Sequence, residues 1–177
     1  MKVLKFGGTS VANSNSLSKV ISILKDNNGS SLIVVSALGG ITNLLQESLI
    51  LKGKSTQKVL KEIEIRHLEI INNLSSQKSQ KPLKKFLKEK LSELEEILYA
   101  ISTIDEVTKK TVSKVLTLGE ILSCKIIYNI LKENNFDISI IDSSSIIFTK
   151  KANNNDVLDE DKTSININNK LALIKSK

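Results

Sequence analysis

Arginine is nearly absent from this chain: of its 26 basic residues only Arg66 is one. The formal net charge of +7 would suit a nucleic-acid or anionic-lipid surface, but such surfaces lean on arginine forks and on aromatics that stack between the cations. Tryptophan is missing and aromatics make up 3% of residues. The densest basic run (Lys78, Lys81, Lys84, Lys85, Lys88 and Lys90) shares its segment with Glu89, Glu93, Glu95 and Glu96. That pattern predicts a solvated helix face, and no nucleic-acid partner. No apolar run approaches the roughly 18 residues needed to span a membrane. Cys124 is the single cysteine, which excludes a disulfide framework; its apolar neighbours Ile121, Leu122, Ile127 and Tyr128 predict a small core residue. The single histidine, His67, lies beside Glu64 and Glu69 and reads as structural, with no metal site. The chain opens on a strand bearing Lys2 and Lys5, which reads as the absence of a signal peptide and predicts a cytoplasmic protein. With so few aromatics, the core must be built of Ile, Leu and Val.

Glycine is also sparse, and its placement is informative. Residues 2–10 read Lys-Val-Leu-Lys-Phe-Gly-Gly-Thr-Ser. A short apolar strand (Val3, Leu4, Phe6) runs into Gly7-Gly8, followed by Thr9 and Ser10. Adjacent glycines remove the Cβ atoms that keep a ligand off the backbone, so amide N–H groups can approach phosphate oxygens. Lys5 can place an ammonium beside the same anion. The plainer alternative is a tight turn with Lys5 in solvent. The segment fits neither of the common glycine-rich nucleotide motifs. A second apolar run, Leu32-Ile33-Val34-Val35, reads as a buried strand and ends in Ser36-Ala37-Leu38-Gly39-Gly40-Ile41-Thr42-Asn43. Thr42 or Asn43 would cap the helix that follows. A third element, Thr117-Leu118-Gly119-Glu120, sets a carboxylate beside a glycine in an apolar helical stretch. Its plain reading is a solvated glutamate at a kink.

Taken together, K-F-G-G-T-S, V-V-S-A-L-G-G-I-T-N and a [ST]-x-G-E element near position 120 resemble the aspartate kinases of the amino acid kinase family. The resemblance implies an α/β, three-layer αβα sandwich with a mostly parallel sheet and a projecting helical pair. It implies that Lys5 contacts the transferring phosphoryl group of ATP and that Gly7, Gly8, Thr9 and Ser10 line the phosphate path. It further implies that Thr42 and Glu120 contact L-aspartate and that Ser36 sits at the edge of that pocket. The implied reaction is MgATP-dependent phosphorylation of the aspartate side-chain carboxylate to 4-phospho-L-aspartate, the entry to lysine, threonine and methionine synthesis. Its partners would be L-aspartate, ATP with Mg²⁺, and further copies of the full-length enzyme in a homo-oligomer.

The departures are equally plain. Leu118 stands where the family usually has an aromatic or polar residue, and Ser143-Ser144-Ser145 follow Asp142 where relatives often have an arginine. The Arg-Gly-Gly-Ser-Asp type segment of the second half of the catalytic domain is missing, and no glycine follows Gly119. The expected organisation is therefore residues 1–150 as the N-terminal, aspartate-binding part of an amino acid kinase domain. Residues 151–177 would be a poorly defined tail leading toward a nucleotide-binding half that is absent, so the isolated chain is expected to be inactive. A homoserine dehydrogenase fusion, another amino acid kinase such as one acting on glutamate, and a non-catalytic remnant that binds aspartate or a partner all stay open.

Along the chain, strand 2–6, a helix over 14–26 stopped by residues 26–29, strand 31–36 and a helix near 42–51 form a βαβ opening. That order places both glycine turns at the carboxyl ends of neighbouring strands, where open α/β sheets bind ligands. Leu60, Ile63, Leu68, Ile71 and Leu74 predict one helical stripe, and Leu83, Leu87, Leu91, Leu94, Leu98 and Ile101 another. Residues 75–81 would connect them, with Pro82 as first helical residue. Thr108 caps a helix to about Glu133. Residues 138–142 read as a third parallel strand and 146–149 as a short extended piece. From Lys150 the sequence turns polar, and 156–175 is either a helix or frayed.

Overall fold

The computed structural model describes residues 1–27, 29–51, 53–152 and 155–175. Asn28 of the expected helix stop, and Asn153 and Asn154 of the polar segment, lie outside the described residues. The chain divides into two compact units, 1–136 and 137–177, so the break in packing precedes the compositional change at Lys150.

In the first unit, β1 (Lys2–Phe6) pairs in parallel with β2 (Ser31–Val35), from Lys2 opposite Ser31 to Phe6 opposite Val35. Between them, α1 (Ser14–Asp26) starts where the Asn13 side chain accepts the Ser16 N–H at 2.9 Å, and Leu17, Val20, Ile21 and Leu24 form its buried stripe. Residues paired across a parallel ladder share a face. Phe6 is buried, whereas Val3, Lys5 and Val34 lie on the other, exposed face. The expected burial of β2 therefore holds only in part: a continuous apolar run predicts cover on both faces, and here Val34 is 42% exposed.

Helix α2 (Ile41–Ser48) does not use Thr42 or Asn43 as its cap. Gly40, with φ +79°, occupies the cap position, no side chain caps it, and both hydroxyl and amide fall inside the first turn. A left-handed backbone at Gly40 lets Ile41 N–H reach the Leu38 carbonyl, at 3.0 Å, directly after the loop.

Helices α3 (Lys54–Leu74) and α4 (Gln77–Ile104) lie antiparallel: Gln57 bonds Glu95 at one end, and Gln80 bonds the Asn72 carbonyl at the other. The α3 stripe comprises Val59, Leu60, Ile63, Ile70 and Ile71 with His67 at its centre, while Leu68 and Leu74 are half-buried. In α4, Leu83, Leu87, Leu94 and Leu98 are buried, and Leu91 and Ile101 only partly so. The connection is two residues, not seven. Ser76 caps α4 by accepting the Ser79 N–H, and its own N–H and hydroxyl both bond Glu133. That anchored start places Pro82 six residues into the helix, where its missing N–H leaves the carbonyl four residues earlier without a helical partner. Pro82 is exposed, so water can serve that carbonyl.

Helix α5 (Lys109–Glu133) begins at Thr108 as expected, the threonine accepting the Thr111 N–H at 3.1 Å. Its buried stripe includes Val115, Leu118, Gly119, Leu122, Ile126 and Ile130. Ile121 and Cys124 sit on the flank of that stripe; Ile121 is 39% exposed and Cys124 half-buried, which corrects their expected core positions. The lysine-rich face of α4 carries ion pairs, Lys85–Glu89 at 3.8 Å and Lys90–Glu93 at 2.8 Å, as a solvated helix surface should.

The second unit departs further from expectation. Residues 138–142 form no strand: a strand needs a ladder, and the described strands pair only as β1–β2 and as β3 (Thr149–Ala152) with β4 (Asn155–Leu158), antiparallel. The Asp142 carboxylate instead takes the Ser144 N–H at 2.9 Å and bends the chain into a 3₁₀ turn at Ser143–Ser145. The extended piece begins at Thr149 rather than at 146. The described residues of the polar tail continue this hairpin and then form α6 (Glu160–Lys175). Thr163 is the one buried residue among the described residues of this unit; its hydroxyl accepts the Phe148 N–H at 3.0 Å, and the Lys162 ammonium lies 4.2 Å from the Phe148 ring centroid. No described helix is long and apolar enough to cross a membrane.

Candidate functional site

The parallel register places the ends of β1 and β2 side by side, with Ser36 N–H donating to the Phe6 carbonyl at 3.2 Å. Both glycine turns therefore leave the sheet at one edge. Gly7 is extended and precedes a 3₁₀ turn, Gly8–Val11, in which the Ser10 N–H bonds the Gly7 carbonyl at 2.9 Å. The first N–H groups of such a turn have no partner within it. A Cβ on Gly7 would meet nothing within 4 Å, so that side of the loop is open to a ligand. Thr9 is exposed, and Gly8 and Ser10 are half-buried.

Gly8 serves packing rather than ligand approach. Its missing Cβ would stand 3.2 Å from the Ala37 carbonyl and 3.7 Å from Gly39 Cα. Gly39 returns the contact: a Cβ there would stand 2.6 Å from Ala12 Cβ and 3.1 Å from the Gly8 carbonyl. The two loops thus touch backbone to backbone. The third motif joins by the same device. Gly119 is buried on α5, and its Cβ position is 3.0 Å from both Ala37 Cβ and Leu45 Cδ1 and 3.3 Å from Ile41 Cγ2. This glycine marks a close crossing of α5 over the start of α2 and not, as the kink reading has it, a bend.

Three glycines, one in each motif, thereby bring together Gly7–Ser10, Ser36 to Thr42, and Glu120. Ser36, Thr42 and Glu120 are all half-buried. Lys5 is exposed on β1, opposite Val34. Among the described residues neither the Lys5 ammonium nor the Glu120 carboxylate has a hydrogen bond or ion pair, so both charges are available to a ligand. No group of three His, Cys, Asp or Glu among the described residues is placed to hold a metal ion. His67 is no ligand candidate either: it is fully buried, Nδ1 bonds the Ile63 carbonyl at 2.7 Å, and burial lowers its pKa to about 4 despite that bond. Two concavities, of about 380 and 240 Å³, are lined by α4 with α5 and by α3 with α4, and contain none of the motif residues.

Arg66 is the residue that motif reasoning passes over. Its Nη1 donates to the Gly39 carbonyl at 3.1 Å and its Nε to Glu62 at 2.8 Å, so a side chain from α3 reaches the second glycine loop. The available signal was rarity, one arginine among 26 basic residues.

The model of the amino acid kinase family matches residues 1–175. The bifunctional aspartokinase/homoserine dehydrogenase of Buchnera aphidicola is 32% identical over 149 residues, covering 80% of this chain and 18% of that protein. The aspartokinase of Chlamydia pneumoniae is 29% identical over 148 residues, covering 83% of this chain and 31% of that protein. The chain thus spans less than a third of either relative. In fold it is similar to E. coli aspartokinase III in complex with aspartate and ADP, with a TM-score of 0.88 at 20% identity, over 99% of this chain and 39% of that one.

Proposed function

This chain belongs to the amino acid kinase family, and from that premise we propose that it forms the aspartate-binding side of a kinase that transfers the γ-phosphoryl group of ATP to the side-chain carboxylate of L-aspartate. The observation that carries the reading is the convergence of the three motifs through Gly8, Gly39 and Gly119. Aspartokinase relatives and the neighbour holding aspartate and ADP support the substrate pair. In the proposed reaction a carboxylate oxygen of aspartate attacks the γ-phosphorus, the bond to the β,γ-bridging oxygen breaks, and 4-phospho-L-aspartate and ADP leave. That product would enter lysine, threonine and methionine synthesis. Such a transfer asks the protein mainly for positioning and charge. Lys5 meets the charge that builds on the transferring oxygens. Gly7, Gly8, Thr9 and Ser10 line the phosphate path, with the open amides at the start of the turn. Glu120 pairs with the substrate ammonium, Thr42 offers its hydroxyl, and Ser36 borders the pocket. Bound with ATP, Mg²⁺ would supply further positive charge to the phosphates.

The 177 residues alone are proposed to bind aspartate without turnover, because no glycine-rich segment follows Gly119 to complete a nucleotide pocket. A second reading is a non-catalytic aspartate-binding remnant. Homo-oligomerisation and a cytoplasmic setting complete the proposal. An assay of ADP release by the full native gene product separates the readings. Release is expected with L-aspartate and not with L-glutamate. Preference for glutamate reassigns the substrate, and binding of aspartate without any ADP release favours the remnant.

A further inference from the structure

The geometry points to Arg66 as a positioning residue: from α3, its guanidinium holds the Leu38–Gly40 loop in the shape that presents Ser36 and Thr42 to the amino-acid substrate. This rests on the aspartate-side reading of that loop. Gly39 is gripped from two sides. On one, the first glycine loop and Ala12 leave no room for a side chain, with an added Cβ 3.1 Å from the Gly8 carbonyl and 2.6 Å from Ala12 Cβ. On the other, Arg66 Nη1 takes the Gly39 carbonyl at 3.1 Å. The next residue, Gly40, has φ +79°, and a Cβ there would stand 2.6 Å from the same Nη1. The left-handed backbone favours glycine at this position, and a side chain there would push the guanidinium off the loop. Two residues on, Thr42 sits in the first turn of α2, so the loop's shape sets where its hydroxyl points.

The residue type matters. Glu62, one turn earlier on α3, takes Nε at 2.8 Å and orients the guanidinium plane while Nη1 serves the loop. A planar fork can hold these two acceptors at once; an ammonium is a single point charge on a flexible stem and cannot reproduce the spread. In a chain that uses lysine at every other basic position, arginine stands where a fork is needed. Its side chain is 39% exposed, so its place is explained by these contacts rather than by core packing. The Arg66 guanidinium bonds Glu62 and the Gly39 carbonyl, and acts through the loop.

The test uses the full chain with Arg66→Ala, Arg66→Lys and Glu62→Gln. Amide hydrogen exchange reads the segment Gly39–Leu44 against the core amides of α5, and L-aspartate is titrated while the Thr42 amide is followed by NMR. Arg66→Ala is expected to speed loop exchange about tenfold and to raise the aspartate Kd about tenfold, with α5 exchange unchanged, as loss of one charged hydrogen bond implies. Arg66→Lys should fail to restore either readout, and Glu62→Gln should give a smaller change of the same sign. Unchanged loop exchange in Arg66→Ala, or full rescue by lysine, overturns the proposal. Should Arg66→Ala not fold, the lysine and Glu62→Gln chains carry the same comparison. Should the wild-type chain show no response to aspartate, the aspartate reading fails, and the exchange arm still decides whether Arg66 holds the loop.

Discussion

Replacing Lys5 by alanine is expected to lower aspartate-dependent turnover of the full native product by about 10²–10³-fold, the size of loss seen when a group that meets developing transition-state charge is removed. Nucleophile and phosphoryl donor are both anionic, so a cation aimed at the transferring oxygens acts mostly in the transition state. Aspartate affinity should change far less, because the proposed amino-acid contacts come from Ser36, Thr42 and Glu120. Folding should also survive. Lys5 is exposed and unpaired among the described residues, and surface changes of that kind stay within about 0.5 kcal/mol. Steady-state kinetics beside a urea melt read all three quantities. Turnover within threefold of wild type would remove Lys5 from the phosphoryl path.

Acid should destabilise the first unit by about 3 kcal/mol between pH 6.5 and 4 through His67 alone. Burial lowers its pKa from 6.5 to about 4, only partly offset by the bond to the Ile63 carbonyl. The unfolded chain thus takes up the proton first. The stabilisation is complete above pH 6.5, falls as pH drops through the window and is gone below about 4. Nε2 is buried with no partner, so the imidazolium would bring an unsatisfied charge into the core. His67→Leu, similar in volume, should flatten this part of the stability–pH curve. The carboxylates respond elsewhere. Hydrogen bonding to Lys90 lowers Glu93, bonds from Ser144 lower Asp142, and Glu133, although burial raises it, is lowered on balance by Ser76 and Ser79. Their losses fall below the ordinary carboxylate range and persist in the variant. Urea unfolding at steps from pH 7 to 4 reads the slope; a wild-type curve flat above pH 4.5, or one that His67→Leu leaves unchanged, would refute the role of His67.

What was legible in the sequence was what local chemistry decides. Helix α5 ran as expected from its Thr108 cap to Glu133, and the βαβ opening followed from two apolar runs separated by an amphipathic stretch. What was not legible depended on partners distant in sequence. Ser76, tied to Glu133, moved the start of α4 ahead of Pro82. Residues 138–142 have strand composition but no ladder to join. The α3 stripe was misread because its central member is a histidine, a residue that an apolar count skips. In the candidate site the motif glycines stood out, yet the contacts they make all run between separate loops or helices, which no single motif encodes. Arg66 carried no motif at all.

The short connection between α3 and α4 has a consequence for the order in which the first unit is built. Two residues suffice to fold α4 back on α3, so that hairpin closes at little entropic cost and should form early. The glycine contacts are the opposite case. Gly8 must find Gly39 across α1, and Gly119 must find Ala37 across the whole hairpin. The region proposed to bind substrate is therefore expected to gain protection last in pulse-labelled exchange during refolding. Newly made chains would pass through a stage with a finished helical arm and no binding loop.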